Sequence, residues 1–152
     1  MKENIAPIFA SSAEEVLLSL CDCDINVDDI QNIKLYKTLD EINIILGISG
    51  QIRGQIIYGM SESFALSIAS HMMELHITEA DDLTISALSE IGNIITGNAS
   101  TKLSDLGLLC ETTIPKVIRG KDKNLKLYNN NVQLINVFTS MGTLSVSISI
   151  KD

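Results

Sequence analysis

Glu90 and Asn93 place a carboxylate and a carboxamide three residues apart in the stretch Ala80–Gly107, ADDLTISALSEIGNIITGNASTKLSDLG. At about 3.6 residues per turn, Ile85, Leu88, Ile91, Ile95, Ala99, Leu103 and Leu106 fall on one helical face. Ser86, Glu90, Asn93, Gly97, Ser100 and Ser104 fall on the other. The apolar stripe explains why such a helix docks on a core. It does not explain the outward pair. Side chains at i and i+3 project side by side, so Glu90 and Asn93 can touch one partner. The amide offers a donor and an acceptor and needs no pKa tuning. Asn has weak mid-helix propensity, a small cost that wants a reason, although a solvated face is the plain alternative and Asn98 sits mid-helix off that line. Gly92 and Gly97 flank the pair, each costing about 1 kcal/mol against alanine in a helix. Their lack of bulk would admit another protein, or equally allow tight packing against a strand.

Other chemistry is poorly supplied. Asp22, Asp24, Asn26 and Asp28 imitate the opening of a calcium loop, but its glycine and glutamate positions hold Val27 and Ile33. The segment therefore reads as a solvated acidic connection. Cys21 and Cys23, with only Cys110 elsewhere, fall short of the four ligands of a structural zinc site and read as buried or half-buried thiols. His71 and His76 read as surface or edge residues. No metal site, catalytic Ser/His/Asp or Cys/His set, or phosphate loop is legible. A net charge of −8 and pI near 4.6 argue against nucleic acid. The odd cysteine count fits a reducing compartment. With no membrane-length apolar run and no signal-peptide pattern, the chain reads as cytoplasmic, free of the membrane. Its 152 residues make one domain, 1–152.

Periodicity places the elements that must hold the pair. Ile5, Phe9, Ala13, Val16, Leu17 and Leu20 predict a first helix over Ile5–Leu20. Ile33–Leu39 reads as a strand. Alternation over Ile42–Ile48 and Gln55–Met60, around turn residues Gly50–Gly54, predicts a β-hairpin with a loop longer than two residues. Ser61 is a good N-cap for a helix from Glu62 to about Leu75, with Phe64, Ala65, Ile68, Ala69, Met72 and Leu75 inward. Thr78 with Asp81 resembles a capping arrangement for the central helix, and Gly107 ends it. Cys110–Arg119 is extended, with Pro115 suited to an edge strand. Val132–Ile150 forms a second hairpin turning near Ser140–Gly142. In its last strand Ser145, Ser147 and Ser149 alternate with apolar residues, so the serine face should meet solvent or a second subunit. Together these predict an α/β fold of α+β layers, with helices on one face of a mixed, largely antiparallel sheet.

Ser86-x-x-x-Glu90-x-x-Asn93, followed some twenty residues later by Pro115, resembles the signature of the CheC/CheX/FliY family of chemotaxis phosphatases. ALSEIGNIITGNASTKLSDLG resembles the family's active helix, and the preceding hairpin with GQIIYGMSESFALSIASHMMEL resembles the stretch before it. The resemblance covers almost the whole chain and implies a CheC-like fold. Two-site members carry a second Glu-x-x-Asn on the first helix. Here Glu14 and Glu15 are followed at the third position by Leu17 and Leu18, so a single-site, CheX-like member is implied.

The resemblance further implies a phosphatase acting on the aspartyl phosphate of the response regulator CheY. Asn93 would orient the attacking water, a device known in phosphoryl transfer, and Glu90 would pair with a lysine in the receiver's active site. Ser86 and Gly97 would lie at the partner interface. No cofactor is implied in this chain; Mg²⁺ is expected in the receiver. A homodimer joined through sheet edges is implied, which an exposed serine-faced strand would permit. The rival expectation is a non-catalytic module of the same fold, of the flagellar-switch type, that binds a phosphorylated receiver.

Overall fold

The computed structural model describes residues 5–21 and 24–151. The order is α1 (Ile5–Leu20), β1 (Ile25–Val27), β2 (Gln31–Lys34), β3 (Ile42–Gly50), β4 (Gly54–Met60), α2 (Glu62–Met73) and α3 (Asp82–Asp105). The strands β5 (Cys110–Thr112), β6 (Lys116–Arg119), β7 (Asn131–Thr139) and β8 (Gly142–Ile150) follow. One eight-stranded sheet runs β1-β7-β8-β4-β3-β5, with β2 also on β7 and β6 also on β3. Where a mixed sheet was expected, every pairing among the described residues is antiparallel.

The two hairpins form the middle of this sheet because both alternate strongly. Ile42, Ile44, Leu46, Ile48, Ile56, Tyr58 and Met60 bury against the helices, as do Ile135, Val137, Leu144, Val146 and Ile148. Each such side chain contributes roughly 1.5–3 kcal/mol on leaving water. All three helices pack on this face: α1 over β7 and β8, α3 over β3 and the edge strands β5 and β6, and α2 against α3 and β8.

The serine face of β8, expected to meet solvent or a second subunit, is instead covered by the chain's own loops. Ser147 and Ser149 are buried, because β8 lies inside the sheet and loops roof its second side. Leu35, Ile57 and Val132 form a small core there with Ile33, Ile45, Leu125 and Leu127. The Ser149 hydroxyl donates to the Asn129 carbonyl at 2.6 Å and accepts from the Asn129 N–H, while Ser145 donates to the Asp40 carboxylate at 2.9 Å. Small hydroxyls let those loops approach closely and satisfy their polar groups.

Other departures are local. The acidic stretch after α1 is not merely a connection: β1 and β2 pair with β7, with Ile25 and Ile30 packed on the main core. The strand expected at 33–39 ends at Lys34. Cys21 is buried; Cys23 and Asp22 lie outside the described residues. Leu75, expected inward, is exposed beyond Glu74, whose left-handed backbone closes α2. The segment 110–119 is two short edge strands with Pro115 in the gap between them.

Candidate active site

Everything that presents Glu90 and Asn93 is built into α3, whose 24 residues span about 36 Å. Its start is set by Asp81 rather than Thr78. The Asp81 carboxylate accepts from the Thr84 N–H and hydroxyl, both at 3.0 Å, and these bonds hold its pKa below the usual carboxylate value. A folded-state pKa lowered in this way adds stability above the unfolded value, lost as pH falls through the lowered one. The far end closes in a Schellman arrangement. Gly107, at φ +86°, donates to Ser104, and Leu108 donates to Leu103. Leu106, expected on the apolar stripe, belongs to this turn and is exposed.

The inward face is tightly seated. Leu88, Ile91, Ile95, Ala99 and Leu103 are fully buried or nearly so. Gly92 is buried with them, and a methyl there would come within 2.8 Å of Ile44 Cγ2 and 3.1 Å of Leu46 Cδ1. Of the two roles open to the glycines, Gly92 takes tight packing on β3. The Tyr58 hydroxyl meets the Thr96 hydroxyl at 2.7 Å with both residues at 0% exposure. Burial pushes the Tyr58 phenol well above the usual tyrosine range, so the pair stays neutral at physiological pH. On the flank, Lys102 bonds Glu15 at 2.8 Å and Ser11 at 3.2 Å, tying α3 to α1. Glu15, where a second Glu-x-x-Asn would begin, is thus engaged with Lys102.

The outward face is open. Ser86, Glu90, Asn93 and Gly97 are all exposed, and a methyl on Gly97 would meet nothing within 4 Å beyond its own helix. Among the described residues no hydrogen bond or ion pair engages the side chain of Glu90 or Asn93. An unpaired acid and amide therefore stand together on an exposed helix, held from beneath. Leu83 and Ile94, at 56% and 38% exposure, lie seven and four residues from Glu90 and share its stripe. The apolar-stripe reading passed over both, although their helical phase marks them. A shallow cleft beside the C-terminal half of α3, lined by Ser100, Thr101, Ser104, Leu109 and Cys110, includes neither Glu90 nor Asn93. His71 and His76 are exposed on and after α2. Among the described residues no helix is long and apolar enough to cross a membrane.

Among the described residues, three helices on one face of an antiparallel sheet, with Glu-x-x-Asn bared along the third, define an α+β class that presents an acid and an amide on an exposed helical ridge. The family model for the chemotaxis phosphatase CheX matches residues 42–139, and the chain belongs to that family. The CheY-P phosphatase CheX of Thermotoga maritima is 36% identical over 97 residues, 62% of this chain. The match spans 63% of that relative's length. The crystal structure of CheX from Desulfovibrio desulfuricans superposes with a TM-score of 0.87 at 22% identity, covering 97% of this chain and 99% of that one. A chain of the CheX–CheY–BeF₃–Mg²⁺ complex from Borrelia burgdorferi has a TM-score of 0.76 at 24% identity, covering 96% and 97%. At those identities the two structures speak for the fold.

Proposed function

We propose that this protein is a phosphatase, acting as a single domain, that hydrolyses the aspartyl phosphate of a CheY-type response regulator. The observation that carries the reading is the outward, unpartnered Glu90 and Asn93 on a helix whose opposite side is locked to the sheet. An acyl phosphate is already reactive, so the task is to place one water in line with phosphorus. The Asn93 carboxamide accepts from that water and donates to a neighbouring oxygen. Water oxygen bonds to phosphorus, the aspartate carboxylate leaves, and inorganic phosphate is released. Positioning of this kind contributes several kcal/mol. Glu90 pairs with a lysine beside the phosphorylated aspartate, where docking desolvates and strengthens the ion pair. The receiver holds the Mg²⁺, and this chain supplies no cofactor. Ser86 and Gly97 leave room for the receiver's backbone, and Leu83 and Ile94 add apolar contact beside the pair.

The protein works in the cytoplasm, where such a receiver is found, as a homodimer. The serine face of β8 is covered, so a second copy joins at an outer strand: β1 and β2 beside β7, or β5 and β6 beside β3. The functional test is phosphate release from an acetyl-phosphate-labelled CheY-type receiver with and without the protein. Accelerated release supports the reading; binding without acceleration would make the protein a docking module instead.

A further inference from the structure

Resting on that phosphatase reading, we infer that Tyr58 and Thr96 are positioning residues for Asn93: a buried directional bond from the sheet, within one turn of Asn93, sets the roll of α3 there. The Tyr58 side chain touches the helix on both sides of Asn93 in sequence. Its ring lies beside Gly92, where a methyl would come within 3.8 Å of Cδ2, and its hydroxyl meets Thr96 at 2.7 Å. Thr96 and Asn93 are i+3 neighbours on adjoining faces of the same turn. Around them the interface is aliphatic: Ile44, Leu46, Leu88, Ile91 and Ile95 are all buried, and the bond of the Ser100 hydroxyl to the Cys110 carbonyl, at 3.3 Å, lies two turns beyond Asn93. Aliphatic contacts are non-directional and fix a helix's roll less sharply than a buried hydroxyl pair, which has one good geometry. A matched apolar pair of the same shape would stabilise the fold about as well, so the hydroxyls are better explained by the geometry they impose. A side-chain atom lies about 6 Å from the helix axis. A roll of roughly 10° then moves it about 1 Å, enough to misplace an attacking water seriously.

The test separates positioning from stability with four proteins: wild type, Tyr58→Phe/Thr96→Val, Thr96→Val and Thr96→Ser. The double variant loses both hydroxyls but keeps a shape-matched core. It should melt at or above the temperature of Thr96→Val, while kcat for phosphate release falls about 10-fold and KM for the phosphorylated receiver moves less than about 2-fold. Thr96→Ser keeps the hydroxyl and loses a methyl, so it should melt lower than wild type yet keep kcat near the wild-type value. A double variant as fast as wild type, or kcat tracking melting temperature through the series, would overturn the inference. Should wild type fail to accelerate release, the phosphatase reading falls separately. Residual dipolar couplings of the α3 amides then decide positioning: a changed roll angle, read from the phase of the couplings along the helix, supports it in the double variant, and an unchanged one removes it.

Discussion

Gly92 and Gly97 lie in the same helix, five residues apart, and face opposite surroundings. A methyl on Gly92 collides with Ile44 and Leu46 of the sheet, whereas a methyl on Gly97 reaches open space. The contrast extends along α3. Inward, Leu88, Ile91, Ile95 and Thr96 are buried; outward, Ser86, Glu90 and Asn93 are exposed. One side of the helix is therefore spent on stability and the other is free for a partner. Rigid support under an exposed pair is what preorganised chemistry needs, since side chains already held in place lose little entropy on docking.

Substitutions on the two sides should separate accordingly. On the outward side, Glu90→Ala should lower kcat/KM for the phosphorylated receiver by at least about 30-fold, because the receiver's lysine is left buried without its partner. Its melting temperature should stay within about 2 °C of wild type. Steady-state kinetics and a thermal scan check both, and a large fall in stability would mean that Glu90 belongs to the scaffold. On the inward side, Gly92→Ala should cost up to about 2 kcal/mol: overpacking costs some 1–3, and helix propensity returns about 1. A urea titration reads this as a lower midpoint at an unchanged slope. The smallest change is Gly97→Ala, which should raise stability by roughly 0.5–1 kcal/mol and weaken receiver affinity a few-fold. Unaltered affinity by titration calorimetry would place the partner's footprint away from Gly97.

The sequence revealed most where periodicity was strong. α1, the β3–β4 hairpin, the Ser61 cap and the β7–β8 hairpin were legible from alternation and helical spacing, since each buries one clear face. The short edge strands β1 and β2 were hidden in an acidic stretch, because a ladder on β7 needs backbone groups more than apolar alternation. The serine face of β8 was misread for a related reason. Alternation identifies the polar side of a strand but not a loop folded over it, and Ser149 satisfies the Asn129 backbone instead of water. At the site, helical phase sufficed for the outward pair, and it also separates Gly92 from Gly97. The contact of Tyr58 with Thr96, across 38 positions, left no local pattern to read.

The central claim is that Asn93 orients the attacking water from a helix whose fold does not depend on it. The most direct measurement is single-turnover phosphate release from a saturating complex of phosphorylated receiver with wild type or Asn93→Ala, alongside the affinity of each for that receiver. Loss of at least about 100-fold in the release step, with affinity changed less than about 3-fold, is the expected result. Release at the wild-type rate by Asn93→Ala would contradict the account.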